Sequence, residues 1–147
     1  MNRFEGTWHY QSFLILSTPS EQEGPPDSAV TARKWAAGTL TVPTDTYPEV
    51  SGELAFAPGV TLTVKGHILP PSDSSSEIFV ATGEGLTGPT KGSISRIIGT
   101  VIFDANAEQS IYGSVLGVRG PDTDPGMNGG MPTNTVGTFV LSRQGGK

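Results

Sequence analysis

The chain contains no cysteine. That absence removes disulfides, thiolate nucleophiles and Cys-held zinc or iron–sulfur centres from consideration. It leaves the redox compartment open, because a cysteine-free chain persists in either. Charge is scarce too: charged residues make up 16%, and nine Lys and Arg are scattered through a chain of net charge −5. Nucleic acid is therefore not an expected partner, since counterion release needs clustered cations. An anionic membrane surface is disfavoured on the same ground. No apolar run approaches the ~20 residues that span a bilayer. No charged stretch followed by an apolar one precedes the first predicted strand, so the expected location is cytoplasmic.

The usual catalytic constellations are missing as well. There are two histidines, His9 and His67, which fall in different predicted strands and in no His-x-x-x-His or Glu-x-x-His spacing, so no metal is expected. In "DTDPGMNGG" the residues Asp122, Asp124 and Asn128 alternate as in a calcium loop. Pro125 interrupts that run and no glutamate closes it, which leaves a Gly-rich turn. Both histidines read as outward-facing, so a Ser-His-Asp arrangement is not expected. Glu53, Glu77, Glu84 and Glu108 fall near strand ends or in outward phase. The glycines of Gly83-Glu84-Gly85 and of Gly126 to Gly130 do not join a strand to a helix as phosphate loops do, and no cofactor is expected.

What is present is β structure. No segment sustains a 3.6-residue period, and period-2 runs bounded by Gly, Pro, Asn and Asp recur along the chain. They predict eight strands: Gly6–Leu16, Lys34–Val42, Glu49–Phe56, Val60–Leu69, Glu77–Gly83, Gly92–Phe103, Ser110–Arg119 and Thr135–Ser142. Pro58-Gly59 and the stretch around Asp104 and Asn106 supply tight turns between neighbours. Two connections are long, Ser17 to Arg33 and Gly120 to Asn134, and are read either as lids over an opening or as surface loops. With 147 residues and no linker, one domain spanning 1–147 is expected, large enough to bury roughly 70% of its unfolded surface. Short sequential turns favour an all-β, eight-stranded, antiparallel up-and-down barrel over a Greek-key sandwich, because closure removes exposed edges. At eight strands the interior is filled by side chains or holds one small ligand.

Alternation assigns faces. With Trp8 inward, Tyr10, Ser12, Leu14 and Leu16 follow it, while His9, Gln11, Phe13 and Ile15 face out. In "VTLTVKGHI", Val60, Leu62, Val64 and Ile68 share the inner face. The sixth strand is apolar on both faces: Ile94, Ile98 and Ile102 with Arg96 on one, Ile97, Val101 and Phe103 on the other. Two-faced burial calls for a second cover, either a loop or a second copy of the chain docked on Gly92–Phe103 as a homodimer.

"GTW", Gly6-Thr7-Trp8, opens the first strand, and Arg143 follows "TFVLS" at the end of the last. Together these resemble the calycin superfamily of lipocalins, fatty-acid-binding proteins and avidins, in whose lipocalin members a terminal arginine packs over the Gly-x-Trp tryptophan. The resemblance implies a calycin-like barrel with a ligand inside. "GTVIFDANAEQSIYGSV" is also similar in texture to allene oxide cyclase, dirigent proteins and related barrel cyclases. On the first reading the chain binds a small hydrophobic molecule through Trp8, Tyr10, Ser12, Leu14, Trp35, Phe56, Leu62, Arg96, Tyr112 and Ser114, with Met127 and Met131 in a lid. On the second it is a cofactor-independent cyclase or isomerase that templates its substrate, with Tyr10, Arg96 or Tyr112 as the catalytic groups. A purely structural role is the third reading, resting on the two-faced strand.

Overall fold

In the computed structural model the residues described are 4–15, 32–70, 77–103, 109–128 and 131–143. Eight long strands close into an antiparallel barrel: β1 Gly6–Ile15, β2 Ala32–Val42, β3 Glu49–Ala57, β4 Val60–Leu69, β5 Ile78–Glu84, β6 Ile94–Phe103, β7 Gln109–Arg119 and β10 Thr135–Arg143. Each strand pairs with its neighbour in the chain, and β10 returns to β1 through the register Trp8↔Arg143 to Leu14↔Gly137. A two-stranded ribbon, β8 Met127–Asn128 with β9 Met131–Pro132, stands between β7 and β10, and a single 3₁₀ turn, Gly88–Thr90, lies between β5 and β6. The expected up-and-down barrel is the observed one, with strand bounds within two residues of those predicted.

The inner face is as alternation requires on β1 and β4. Trp8, Tyr10, Ser12 and Leu14 are buried on β1, and Leu62, Val64 and Ile68 on β4, with Lys65 and His67 exposed. Along β6 the inward set is Ile97, Gly99 and Val101, and along β7 it is Ile111 and Val115. Outward stand Ile98 at 54% exposure, Tyr112 at 46% and Val136 at 57%, with Val80 and Ile102 beside them. The apolar outer face of β6 is therefore real, and it continues onto β5, β7 and β10.

One row across the sheet explains how half the barrel is sealed. Phe139 pairs with Gly113, Gly113 with Gly99, and Gly99 with Phe79. Both phenylalanines are 1% exposed. A Cβ on Gly99 would sit 2.9 Å from the Phe139 ring, so the missing side chain makes room for that aromatic, and a Cβ on Gly113 would run into the backbone of Ile98 and Gly99 on β6. Below this row the core continues through Ile68, Ile111, Leu141 and Val42 to Trp8.

The end of the barrel is closed by the Gly-x-Trp seam. The Arg143 guanidinium carbon lies 4.4 Å from the Trp8 ring centre. Its Nη1 donates to the Glu5 carbonyl at 2.6 Å and its Nη2 to Gln109 Oε1 at 3.1 Å. The Trp8 indole donates to the Phe4 carbonyl at 3.0 Å, and the Phe4 ring stacks between Trp8 and Tyr47. Gly6 has φ of +131°, and a Cβ there would meet Arg143 Nη1 at 2.7 Å, so backbone and neighbour both demand glycine.

Candidate functional site

The other half of the barrel is open. A cavity of about 530 Å³ occupies it, within the ~300–1,000 Å³ range of small-molecule sites. Its wall is apolar, from Leu54 and Phe56 on β3, Leu62 and Val64 on β4, Ile97 on β6 and Val115 on β7. Tyr10 is 4% exposed, its ring stacked on Phe139 at 6.1 Å and edge-on to Phe56 at 6.3 Å. It thereby joins the sealed core to the cavity.

A β-bulge places the polar groups. Ser12 pairs with Ala36 and Phe13 with Lys34, which leaves Trp35 as the extra residue on β2. Without the bulge, alternation from buried Leu40 and Val42 would turn Trp35 outward; with it, Trp35, Ala36 and Ala37 all line the cavity. Side chains satisfy the backbone groups that the bulge frees. The Ala36 N–H donates to Ser12 Oγ at 3.1 Å, and Gln11 Nε2 donates to the carbonyls of Ser12 and Ala36 at 2.8 and 3.1 Å.

Burial pushes the Tyr10 phenol above its ordinary value, and a hydrogen bond with Ser12 opposes this without reversing it. The unfolded phenol ionises as pH passes about 10, whereas the folded one keeps its proton to higher pH. Stability should therefore be indifferent to this group below pH about 10 and fall as pH rises beyond it. Urea midpoints taken through that range will show the decline, and Tyr10→Phe will flatten it; an unchanged slope in the variant counts against a buried, protonated phenol.

Two laced loops frame the mouth. Pro89, Thr90 and Ser93 come from the β5–β6 connection, and Pro121, Asp124 and Met127 from the excursion after β7. Arg119 Nη1 donates to the Gly92 carbonyl at 2.8 Å and to Asp122 Oδ1 at 2.9 Å, and the Asp122 N–H donates to the Lys91 carbonyl at 2.6 Å. Thr90 Oγ1 reaches the Thr61 carbonyl on β4, and Ser93 Oγ the Thr90 carbonyl at 2.7 Å. The Arg119–Asp122 pair is half exposed and contributes little alone. The backbone bonds around it give the frame its shape.

Of the residues expected to bind a ligand, Tyr10, Ser12, Trp35, Phe56, Leu62 and Met127 line this cavity. Trp8 is inside the barrel but belongs to its sealed end, and Leu14 is buried without reaching the cavity wall. Arg96, Tyr112 and Ser114 are corrections: all three face outward. Two of them border a shallow outer groove of about 270 Å³, Arg96 and Ser114. The physical reason is that β6 is apolar on both sides and so carries no phase. On β7 the inward positions alternate Ile111, Gly113, Val115 and Gly117, whose glycines mimic a weak face. The Met131 side chain, Leu16, the turn at 104–108 and the proposed lid from Ser17 as far as residue 31 lie outside the described residues. Residues not anticipated are Ser93, Ser95, Thr90 and Asp124 at the mouth. Gly88-Pro89-Thr90 held the one available signal, since proline at the start of a short turn marks a built corner.

No family model matches the chain, and no curated protein or solved structure matches it either. Likeness to calycins therefore rests on the barrel and on the seam between Trp8 and Arg143. Among the described residues no group of three or more His, Asp or Glu side chains converges as a metal site would.

Proposed function

We propose that the chain binds a small, largely apolar molecule in the open half of a calycin-like barrel. The observation that carries this reading is the cavity of about 530 Å³, walled by aliphatic and aromatic side chains beside an otherwise filled core. In a barrel whose other half is a packed core of buried side chains, space of this size bounded by a structured rim is the feature in need of an occupant. Native mass spectrometry of protein purified from its own host tests it. A non-covalent adduct that is released on denaturation is the expected result. Protein that carries no adduct, and that fails to bind any of a panel of neutral polycyclic and polyene compounds at saturating concentration, sinks the reading.

A second reading has its own support. Tyr10 and Ser12 both line the cavity and bring two hydroxyl-bearing side chains to it, and the laced rim holds the mouth in a defined shape. Those are the parts needed by a cofactor-independent cyclase or isomerase, which gains rate from orientation and from a donor aimed at developing charge. Incubating the released guest with fresh protein separates the two readings. Conversion to a species of equal mass and different retention supports the enzyme; recovery of the guest unchanged supports the carrier.

A further inference from the structure

The outer surface of the barrel is divided in two. On β3 and β4 the outward positions include Glu49, Glu53, Lys65 and His67, all exposed, as on a face that meets water. Across β5, β6, β7 and β10 the outward rows are different. Val80, Ile98, Ser114 and Thr138 pair in one row. Ile78, Thr100, Tyr112 and Val140 pair in the next. Arg96 lies one row beyond the first and Ile102 one row beyond the second, and Arg96 is the single charge among the described residues of these four rows. Of the seven large apolar side chains left exposed among the described residues, five stand on this face: Val80, Ile98, Ile102, Tyr112 and Val136. Exposed apolar surface concentrated in this way marks a contact.

Chemistry narrows the occupant. The eight-stranded ring is closed and offers no free edge, so a partner must meet this face side chain to side chain. A bilayer fits poorly: Ser114, Thr138 and Thr100 interrupt the apolar side chains, and hydrocarbon would strip their water without returning hydrogen bonds. Mixed apolar and hydroxyl groups with little charge are what protein interfaces carry. The connection from Ser17 to Thr31 is a poor cover by composition, since Val30 is its one aliphatic side chain larger than alanine apart from prolines. The face also holds its own counterpart. A shallow groove of about 270 Å³ passes Ile98, Ser114 and Val136, and Ser114 is its low point on β7. Tyr112 stands exposed one row away on the same strand.

We propose that the outer face of β5, β6, β7 and β10 docks on the same face of a second copy of this chain. The two-fold axis lies in the plane of the face and runs across the strands between the Ser114 row and the Tyr112 row. It lays each Tyr112 over the partner's Ser114, so one knob and one hollow are used twice, as an isologous contact requires. The same operation sets Arg96 over the partner's Ile102 row. The two guanidinium groups then stand three rows apart, about 20 Å, well beyond the ~8 Å over which exposed charges act at physiological salt. Four strands about 4.8 Å apart and four rows about 6.7 Å apart give a footprint of about 500 Å² per copy. The total of about 1,000 Å² just reaches what a specific interface needs, so the dimer is weak and reversible.

Sedimentation velocity of the full chain from about 1 µM to about 500 µM covers the range in which so small an interface should half-assemble. The weight-average mass should climb from 15.3 kDa toward twice that value. Ile98→Lys puts a charge into both halves of the contact and should weaken association about tenfold or more, while Ser51→Lys on the exposed outer side of β3 should leave it unchanged. Both positions are exposed, so both variants should melt as wild type does. Because the chain has no cysteine, Ser114→Cys carries a single thiol, and a short bismaleimide should join two copies through it far faster than through Ser51→Cys. A wild-type chain that stays at 15.3 kDa throughout overturns the proposal, and that result needs no variant to fold. Sedimentation of such a monomer with phosphatidylcholine vesicles, lost in Ile98→Lys, would give the face to a bilayer instead and overturns it too. A dimer indifferent to Ile98→Lys uses another surface. A dimer whose Ser114→Cys variant links no faster than Ser51→Cys overturns the placement of the axis.

Discussion

Replacing Trp8 by alanine will destabilise the folded chain by about 3–5 kcal/mol, as expected for a fully buried large aromatic cut back to a methyl group. Trp8 is 1% exposed, lies under the Arg143 guanidinium at 4.4 Å, and spends its only polar atom on the Phe4 carbonyl. The substitution leaves a void at the barrel end and also removes the surface on which Phe4 and Arg143 rest, so the site cannot collapse to fill itself. Urea unfolding followed by far-ultraviolet circular dichroism is the measurement. Arg143→Lys keeps the charge but loses the flat stack and one of two anchored nitrogens, and should cost about 1 kcal/mol. Combined with Trp8→Phe in a double-mutant cycle, it should give a coupling of roughly 0.5–2 kcal/mol. A loss below about 1 kcal/mol for Trp8→Ala would mean that the indole does not seal the end.

That seam was legible in the sequence because every constraint on it is local or terminal. With only two tryptophans in the chain, a Gly-x-Trp near one end and an arginine closing the last strand specify a contact once the strand count closes the ring. Strand positions were legible for a related reason. Period-2 alternation is a strong signal wherever one face is polar, as Lys65 and His67 make it on β4. It fails where both faces are apolar. On β6 the inward Ile97 and Val101 cannot be told from the outward Ile98 and Ile102 by chemistry. Only pairing with Phe79 and Phe139 through the glycines decides, and that information sits in three other strands. Arg96 is misplaced by this degeneracy, and Tyr112 by the glycines that alternate with Ile111 and Val115 on the inner face of β7.

The cavity was harder to read than the core for a different reason. A core announces itself by large apolar side chains, whereas a cavity is made by what is small: Ala36, Ala37, Gly83, Ser93 and Ser95 line it. Small residues in a strand look like weak strand sequence, and nothing local distinguishes a serine that faces a void from one that faces water. The bulge is equally silent. Trp35 and Ala36 in succession break alternation by one residue, which a reader of single strands takes as noise, yet that one-residue slip turns an indole into the cavity and frees the Ala36 N–H for Ser12.

The same smallness makes the second large effect predictable. Ser95→Trp should abolish ligand binding, reducing affinity by about 100-fold or more, a loss of roughly 2.7 kcal/mol, with little change in the stability of the fold. Ser95 lines the cavity on β6, and its cross-strand neighbours are Gly83 on β5 and Gly117 on β7. With no side chain on either flank, an indole at this position meets open space before it meets a wall, so the overpacking cost of about 1–3 kcal/mol for a filled core does not apply. It would bury its ring against Leu62 and Val115, which a ligand would otherwise cover. The comparison that gives the experiment its force is Ile97→Trp, two residues along the same face, where the native side chain is already 5% exposed and packed in the core. That variant should lose both binding and stability. Titration with prodan, a neutral naphthyl ketone fluorophore, alongside thermal unfolding separates the cases: a Ser95→Trp chain that melts near wild type and still binds would place the ligand somewhere other than the open half of the barrel.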